Sequence, residues 1–396
     1  MKTYDVLIVG GGLAGASLAL ALKPLGLKIA LVEAITAARR SASPAGDRAL
    51  ALAKGSVEIF QELGIWSEVW RRATPIEHIQ VSDCGHFGKT RLHAREMSVE
   101  AFGQVIAARD LEAALAAACE RGKMEILCPA RVSGLEVVSD AVEVSLLQDE
   151  QALHCRARLV VAADGGQSKV RQWVGIGQQV HHYDQIALVS TVRSERPHHF
   201  TAYERFTPSG PLALLPLGKG NSALIWTHSI QEARMAQALP TDRFEQRLQK
   251  TFGWKLGRLN LVAPVRGFPL RLIRADRLFS ERVALVGNAA HQLHPVAGQG
   301  FNLGLRDVAV LARLLTEQVQ RKGDPGAFTL LERYARLRAS DHNRIIGFSD
   351  GLVRWFLPSL PPLALVRNLG LVALDHWMYG KRAFARHAMG MAGVSK

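Results

Sequence analysis

A glycine-rich segment with two histidines, residues 287 to 304, reads GNAAHQLHPVAGQGFNLG. Gly298 and Gly300 let the backbone approach a flat or phosphorylated ligand without a side-chain clash. A strand-like run precedes the segment and a helix-like run follows it. The first amides of that helix would therefore point at the ligand and favour negative charge. The segment suits a ring that becomes anionic when it is reduced, as a flavin does.

A second glycine pattern lies near the beginning of the chain. Gly10, Gly12 and Gly15 follow a β-branched run, and a helix-like stretch and a second strand ending at Glu33 come next. This order predicts a dinucleotide site in which the helix start holds a pyrophosphate and Glu33 bonds a ribose hydroxyl. The alternative is a tight glycine turn in a strand–helix–strand unit that binds nothing.

Composition and cysteine usage limit the class of protein. With 396 residues, of which 48% are apolar and 21% charged, the chain can form two domains or one elaborate α/β domain. Its four cysteines show neither a C-x-x-C pair nor the spacing of metal ligands. We therefore expect no disulfide framework, no metal site and a reducing compartment.

The net charge of +14 concerns possible partners. Arginine is spread through the chain without a dense basic tract, so we expect no nucleic-acid binding. Attraction to an anionic membrane surface explains the positive charge better. No run reaches the roughly 20 apolar residues of a spanning helix. We expect a cytoplasmic protein, with peripheral attachment to the inner face of the cell membrane left open.

The order of patterns along the chain predicts an α/β fold. We expect a discontinuous, Rossmann-like dinucleotide-binding domain formed by residues 1–70, 101–175 and 275–330. Alternating segments at 71–100 and 176–274 predict a mainly antiparallel β-sheet substrate domain intertwined with it. Residues 331–396 read as a C-terminal helical region.

A third motif completes a resemblance to a known family. Asp164 and Gly165 end a buried strand, with Ser168 and Arg171 at fixed spacing behind them. With the two glycine segments, this motif resembles the single-component FAD-dependent aromatic hydroxylases, the group of p-hydroxybenzoate hydroxylase. Details of residues 287–304 and 367–371 look most like the ubiquinone-biosynthesis branch, and within it the 2-octaprenyl-6-methoxyphenol hydroxylases.

The resemblance implies a set of FAD-binding residues. Arg48 and Arg109 would approach the cofactor, although Arg109 also reads as a surface arginine at a helix start. Asn288 stands where most members have an Asp that contacts the ribityl chain, and Asn keeps the hydrogen-bonding capacity without the charge. The full set that we expect to bind FAD is Gly10, Gly12, Gly15, Glu33, Arg48, Arg109, Asp164, Gly165, Asn288, Gly298, Gly300, Phe301 and Asn302.

Candidate catalytic residues also lie in residues 287–304, which we call the flavin segment. His291 and His294 could pass a proton from a substrate phenol, although such histidines are more often structural. Pro295 should line the active-site face of the flavin ring. The sequence shows no Ser-His-Asp arrangement, so the chemistry must come from the cofactor.

The resemblance implies a reaction as well. NAD(P)H would reduce FAD, and a flavin hydroperoxide formed with O₂ would hydroxylate the aromatic ring of a polyprenylated phenol in ubiquinone biosynthesis. Apolar strands at 211–217 and 223–226 are candidates for a roof that excludes water, or are ordinary core. An enzyme complex of the pathway is left open as a partner. The alternatives are another aromatic substrate, or a non-catalytic prenyl-binding protein on the same fold.

The C-terminal region mixes aromatic residues, leucines and arginines from about residue 354 to residue 386. Such a composition is typical of a surface that reaches the bilayer, where a polyprenyl substrate would reside. Helical packing against the FAD domain explains it equally well.

Overall fold

The computed structural model describes residues 1–36, 39, 48–149, 151–293, 298–356 and 361–389. Its strands are β1 (Lys2–Val9), β2 (Ile29–Val32), β3 (Ala49–Ala53), β4 (Thr74–Ile76), β5 (His78–Asp83), β6 (Lys89–His93), β7 (Gly103–Ala107), β8 (Glu125–Leu127), β9 (Ala130–Val137), β10 (Val142–Gln148), β11 (Gln151–Ala162), β12 (Gln178–Ser194), β13 (Thr201–Thr207), β14 (Gly210–Pro216), β15 (Asn221–Ser229), β16 (Leu259–Leu261), β17 (Arg266–Ala275), β18 (Phe279–Ser280), β19 (Val283–Leu285) and β20 (His291–Gln292).

Helices connect and cover these strands. They are α1 (Leu13–Leu22), α2 (Lys54–Glu62), α3 (Trp66–Val69), α4 (Ala108–Arg121), α5 (Lys169–Trp173), α6 (Ile230–Gln237), α7 (Thr241–Phe252), α8 (Gln299–Gln320), α9 (Phe328–Phe356), α10 (Pro361–His376) and α11 (Met378–Ala388).

The first sheet has the strand order β18–β19–β11–β1–β2–β8, and the β9–β10 hairpin joins it through β11. Its central strand β1 pairs in parallel with both β11 and β2. Val6 and Ile8 face α1 and α8, whereas Leu7 and Val9 face the side covered by β10. Because both faces are covered there, the second half of the strand, residues 6–9, is apolar throughout rather than alternating. The predicted Rossmann-like α/β fold is confirmed.

The second sheet has the order β20–β17–β12–β15–β14–β13–β5–β6, with β16 paired to β12. Its described pairings are antiparallel except for the parallel pair β13–β5. One face packs against α6 and α7 through residues such as Leu212, Trp226 and Phe244. The alternate residues point to the opposite face, which borders a cavity.

The strand pairings bear on the expected division into domains, which stays a proposal. Most strands of the first sheet lie in residues 1–70, 101–175 and 275–330, and most of the second lie in 71–100 and 176–274. Two short strands depart from this pattern. β4 pairs with β7 in a small third sheet, β3–β7–β4, and β20 pairs with β17 of the second sheet.

The C-terminal helices close one side of the molecule. The side chain of Asn368 on α10 accepts a 2.6 Å hydrogen bond from the amide of Gly88 and donates one of 3.0 Å to Asp83. The amide of Arg91 donates to Asp375 over 2.8 Å. These bonds hold α10 along the β5–β6 hairpin. None of the described helices is both long and apolar enough to cross a bilayer.

Candidate functional site

A cavity of about 1430 Å³ lies between the first and second sheets. It exceeds the roughly 300–1,000 Å³ of an ordinary small-molecule pocket, so it has room for a dinucleotide and a second ligand. Residues from the glycine turn, β3, the start of α8, the second sheet and α9 line it together: Gly12, Arg48, Ala51, Gly165, Asn288, Gly298, Gly300, Phe301, Ala213, Ile225 and Phe348.

The glycine turn between β1 and α1 requires its glycines for two reasons. Gly10 has a φ of +106°, and a Cβ there would lie 2.4 Å from the carbonyl oxygen of Ala163. A Cβ on Gly15 would lie 1.9 Å from the carbonyl oxygen of Gly10. Gly12, in contrast, precedes α1, lines the cavity and has open space where a Cβ would be. The turn is therefore tight on its protein side and open on its cavity side.

Glu33 lies at the end of β2 and braces this turn. One carboxylate oxygen accepts a 2.7 Å hydrogen bond from the amide of Gly11, and the other accepts one of 2.7 Å from the amide of Ile35. Glu33 is not among the residues that line the cavity. Each oxygen has a second lone pair, so the proposed bond to a ribose hydroxyl is compatible with these contacts.

The turn at Asp164 and Gly165 follows β11 of the first sheet. One oxygen of Asp164 accepts from the amides of Lys169 and Val170 at 2.9 and 3.3 Å. Its other oxygen is buried without a hydrogen-bond partner among the described residues. Gly165 has a φ of +88° and lines the cavity. The turn thus presents open backbone to the cavity at Gly165, next to a buried carboxylate oxygen.

Arg171, which is 1% exposed, supports that turn from behind. Its guanidinium donates to the carbonyl oxygens of Ala289 at 2.7 Å and Gly166 at 3.1 Å. Burial lowers the pKa of Arg171, and the nearby charge of Asp164 opposes that effect. Arg171 therefore links the turn to residue 289 of the flavin segment.

The two arginines expected near the cofactor differ in position. Arg48 precedes β3, is exposed and lines the cavity. Arg109 is exposed in the first turn of α4 and is not among the lining residues, although its neighbours Ala107 and Glu112 are. Arg48 is therefore the better placed of the two to meet a phosphate or a flavin edge.

The flavin segment forms one end of the cavity. Asn288 lies exposed to the cavity in a 3₁₀ turn, Gly287–Ala289. Gly298 has a φ of +60° and precedes α8, and Gly300 lies in the first turn of that helix. Both glycines line the cavity, so the first amides of α8 are close to any ligand there. His294 and Pro295, expected to be catalytic, lie outside the described residues.

The side chains of Asn302 and Phe301 are fixed by contacts with other residues of the chain. The amide group of Asn302 accepts from the Ala53 amide and the Ser56 hydroxyl at 2.8 and 2.7 Å. It also donates to the carbonyl oxygens of Ala51 and Gly298 at 2.8 and 2.7 Å. All four hydrogen-bonding positions of the side chain are thus used. We assign Asn302 a positioning role. Phe301 stacks on the ring of Phe60 with centroids 6.2 Å apart.

His291 lies behind the cavity wall. Its side chain is 0% exposed, and its Nε2 lies 2.8 Å from a carboxylate oxygen of Asp307 on α8. Burial lowers the pKa of His291, and the charge of Asp307 opposes that effect. The residue is not among those lining the cavity. A direct proton transfer from a substrate to His291 therefore has no support in this geometry.

Asp307 is the centre of a buried network that joins α8 to α9. Its other oxygen accepts from Arg338 at 2.6 Å and lies 2.7 Å from Nε2 of His342. Burial alone would raise the pKa of Asp307, but the charges of His342 and Arg338 hold it well below its ordinary value. Asp341 is in turn bonded by three arginines: Arg306, Arg338 and Arg344.

The same network contains a geometric grouping of metal-ligand types. Ligand atoms of His291, Asp307 and His342 lie within 4.8 Å of one another. Arg338 already donates to the oxygen of Asp307 that His342 contacts. A divalent cation there would have to lie beside a guanidinium, which is electrostatically unfavourable. We interpret the grouping as a structural ion network.

Several lining residues were not expected from the sequence. Glu204 on β13, Arg266 on β17 and Phe348 on α9 all border the cavity. The sequence carries one signal for the position of Glu204, which is the alternation along β13. This alternation places Glu204 on the same face of the strand as Ala202 and Phe206. Of the two expected roof strands, Ala213 and Ile225 face the cavity, whereas their neighbours face the helices.

One cavity is lined both by the glycine turn before α1 and by the glycine-rich start of α8. This arrangement is typical of a dinucleotide-binding flavoprotein. Residues 3–349 match the family described as FAD binding domain. The chain is 40% identical to ubiquinone hydroxylase UbiL of Rhodospirillum rubrum, over 98% of this chain and 90% of that protein. It is 32% identical to 3-demethoxyubiquinol 3-hydroxylase of Escherichia coli, over 98% of both.

The fold has a solved counterpart. p-Nitrophenol 4-monooxygenase PnpA from Pseudomonas putida superposes with a TM-score of 0.82 over 100% of both chains, at 18% identity. The chain belongs to the FAD-binding family of aromatic hydroxylases and is an FAD-dependent monooxygenase. The expected family and the expected cofactor are therefore confirmed.

Proposed function

We propose that the protein hydroxylates the aromatic ring of a polyprenylated phenol in ubiquinone biosynthesis, with NAD(P)H and O₂ as co-substrates. The observation that carries this proposal is that one cavity is lined both by the glycine-rich residues expected to hold FAD and by apolar residues of the second sheet and α10. The relatives at 40% and 32% identity bear the names of ubiquinone-pathway hydroxylases.

The residues at the glycine end fit FAD. The open backbone at Gly12 and Gly165 and the first amides of α8 border the cavity and offer backbone groups to a dinucleotide. We propose that the α1 start holds the pyrophosphate and that Asn288, Gly298 and Gly300 hold the flavin end. Bound FAD supplies reductive activation of O₂, with NAD(P)H as the hydride donor.

The second sheet would exclude water from the reacting ring. Val189, Ala213 and Ile225 present apolar side chains to the cavity from three adjacent strands. Exclusion of water matters because activated oxygen is otherwise released without product. Low local polarity also strengthens each hydrogen bond that a substrate hydroxyl makes.

We propose that a long apolar tail binds beside α10, and we call this part of the cavity the tail end. Leu371 and Leu374 on α10 line the cavity here, and Phe348 on α9 lines the same cavity. A polyprenyl chain would bury its surface against these residues, and each buried CH₂ contributes about 0.8 kcal/mol. The tail therefore provides most of the binding energy, and the ring provides the specificity.

We also propose that the protein attaches peripherally to an anionic membrane surface through a C-terminal patch. The patch consists of the exposed apolar residues Phe87, Leu369, Trp377 and Tyr379, which are 61, 53, 61 and 76% exposed. Leu369 shares α10 with Leu371 and Leu374 of the cavity wall. Exposed Arg382 and Arg386 on α11 add positive charge nearby. Aromatic residues with adjacent arginines are typical of interfacial binding.

A lipid-extract mass spectrum tests the proposed function. A strain lacking this gene is compared with its parent and with a strain that carries the gene on a plasmid. We expect accumulation of a prenylated phenol one oxygen short, and its loss on complementation. An unchanged quinone profile in a strain with no other flavin hydroxylase of this family would overturn the proposal.

A further inference from the structure

A carboxyl group lies on the apolar roof of the cavity. Glu204 is the central residue of β13, and it lines the cavity. In the sheet register Glu204 is opposite Ala213 on β14 and Val81 on β5. Its neighbours on the same face of its own strand are Ala202 and Phe206. The carboxyl therefore extends from a surface of small and apolar side chains.

The same register continues across the whole sheet. Ala213 is opposite Ile225, Ile225 is opposite Val189, and Val189 is opposite Arg266. Each of these residues lines the cavity. At about 4.8 Å per strand, Glu204 and Arg266 are roughly 19 Å apart, too far for an ion pair. Arg266 is therefore too far away to neutralise the carboxylate of Glu204.

No other group of the described chain satisfies the carboxyl of Glu204. It has no hydrogen bond and no ion pair within those residues. The nearest titratable group on the same face is Asp83 of β5, which bonds to Asn368 on α10 and lies 3.3 Å from His86. From β14 and β6 the facing residues are the uncharged Ala213 and Thr90.

Burial raises the pKa of Glu204 to about 7. The residue is half-buried and lines the cavity. Near neutral pH the group is therefore present both as carboxylate and as acid. A free phenol titrates at about 10, so the raised pKa brings the carboxyl closer to a phenol in proton affinity.

We propose that Glu204 binds the hydroxyl group of the phenol substrate and takes its proton during ring hydroxylation. The proposal rests on the proposed function. The phenol O–H bond breaks, an O–H bond forms on the carboxylate, and the electron pair stays on the phenol oxygen. The ring becomes richer in electrons at the carbon that receives oxygen. The proton returns to solvent when the product leaves.

The test compares FAD-loaded wild type with Glu204→Gln, Glu204→Asp and Glu143→Gln. Glu143 is an exposed carboxylate on β10, so its substitution is a matched control. The probes are a short-chain prenylated phenol and its methyl ether, and their binding is followed by tryptophan fluorescence. We expect wild type and the control to bind the phenol about tenfold more tightly than the ether. Glu204→Gln keeps an acceptor oxygen but loses the charge, so its preference for the phenol over the ether should be clearly smaller than that of wild type.

The pH profile is the second measurement. Wild type and Glu143→Gln should lose kcat/KM below an apparent pKa near 7, whereas Glu204→Gln should be low and nearly flat across that range. Glu204→Asp keeps a carboxyl and should keep the pH dependence with weaker binding. If Glu204→Gln does not retain FAD, the binding and the pH profile of Glu204→Asp test the proposal in its place.

Two outcomes overturn the inference and are distinct. If wild type hydroxylates the phenol and the Glu204 variants keep both the preference over the ether and the pH profile, Glu204 has no such role and the proposed function stands. If wild type hydroxylates no prenylated phenol, the proposed function and this inference fall together.

Discussion

Asn302 is the residue that ties β3 to the first turn of α8. Its four hydrogen bonds link Ala51 and Ala53 of the strand, Ser56 of α2 and Gly298 at the helix start. Both elements line the cavity next to the glycines expected to hold the flavin. The position of α8 relative to a cofactor is thus set by one buried amide side chain.

Replacement of that side chain should loosen the site. Asn302→Ala leaves buried backbone groups of Ala51 and Ala53 unsatisfied, at about 1–3 kcal/mol each. We expect the Tm to fall by several degrees and FAD to dissociate about tenfold more readily. Thermal unfolding and flavin fluorescence measure these changes. Asn260→Ala, at an exposed position on β16, should change neither, and an unaltered Asn302→Ala protein would refute the role.

Gly15 tests the tight side of the dinucleotide turn. A Cβ at this position meets backbone at 1.9 Å, so that even alanine should displace the turn. We expect Gly15→Ala to purify without bound FAD, as judged by absorbance near the flavin band. Gly134→Ala is the control, because its Cβ would meet nothing within 4 Å. A yellow, active Gly15→Ala protein would contradict the assignment of this turn to FAD.

Glu204 should also make stability depend on pH. Its folded pKa is raised to about 7 by burial, above the roughly 4.3 of an unfolded glutamate. The native state therefore binds more protons between these values, and stability present at low pH is lost as the pH rises through about 7. Relative to Glu204→Gln, the Tm of wild type should fall between pH 5 and pH 8. Parallel Tm curves would show that the carboxyl is not buried.

At the scale of elements, α10 acts as a side wall of the cavity. Its Asn368 bridges Gly88 and Asp83 of the β5–β6 hairpin, while Leu371 and Leu374 face the interior. The buried network around Asp307 similarly fixes α9, whose Phe348 lines the same cavity. The tail end of the cavity therefore depends on polar contacts made outside it.

Loss of the contact between α10 and the β5–β6 hairpin should admit water to the cavity. Asn368→Ala removes the hydrogen bonds to Gly88 and Asp83, and we expect α10 to separate from the hairpin. More oxygen should then be released as hydrogen peroxide per NAD(P)H oxidised with substrate present. The exposed His376 at the end of α10 provides the control variant His376→Ala. Equal coupling in the two variants would count against a wall function for α10.

The sequence predicted the elements that carry local signals and missed those set by packing. The glycine turns at Gly10 and Gly298 were predictable because few residues other than glycine adopt their positive φ. His291 illustrates a limit, because its burial against Asp307 depends on how β20 meets α8, which no local pattern encodes. Glu204 was missed for a related reason. Its strand alternates visibly, but only the assembled sheet shows which face borders the cavity.

On the scale of the whole molecule, charge and exposed apolar surface point to the same partner. The chain carries a net charge of +14, and the C-terminal patch lies on α10, the start of α11 and the β5–β6 turn, next to the α10 residues that line the cavity. A lipid-dissolved substrate could then enter from the bilayer at the tail end. Binding to anionic lipid should weaken with salt, because exposed charges are screened beyond about 10 Å at 0.1 M.

Vesicle flotation measures this attachment. We expect the protein to float with vesicles that contain anionic lipid, to float less with neutral vesicles, and to detach partly as salt increases. A double substitution, Trp377→Ser with Tyr379→Ser, should reduce flotation severalfold. Trp254→Ser removes an equally exposed tryptophan, 66% exposed, from outside the patch and should float normally. Flotation that is unaffected by the double substitution would rule out the patch.

The most direct test of the central claim follows the oxygen atom. FAD-loaded enzyme is given a prenylated phenol and NAD(P)H under ¹⁸O₂, and the product mass and the NAD(P)H consumed are measured together. The account predicts a hydroxylated ring that carries one ¹⁸O atom for each NAD(P)H oxidised. NAD(P)H oxidation that yields hydrogen peroxide with every prenylated phenol offered, and no labelled product, would contradict it.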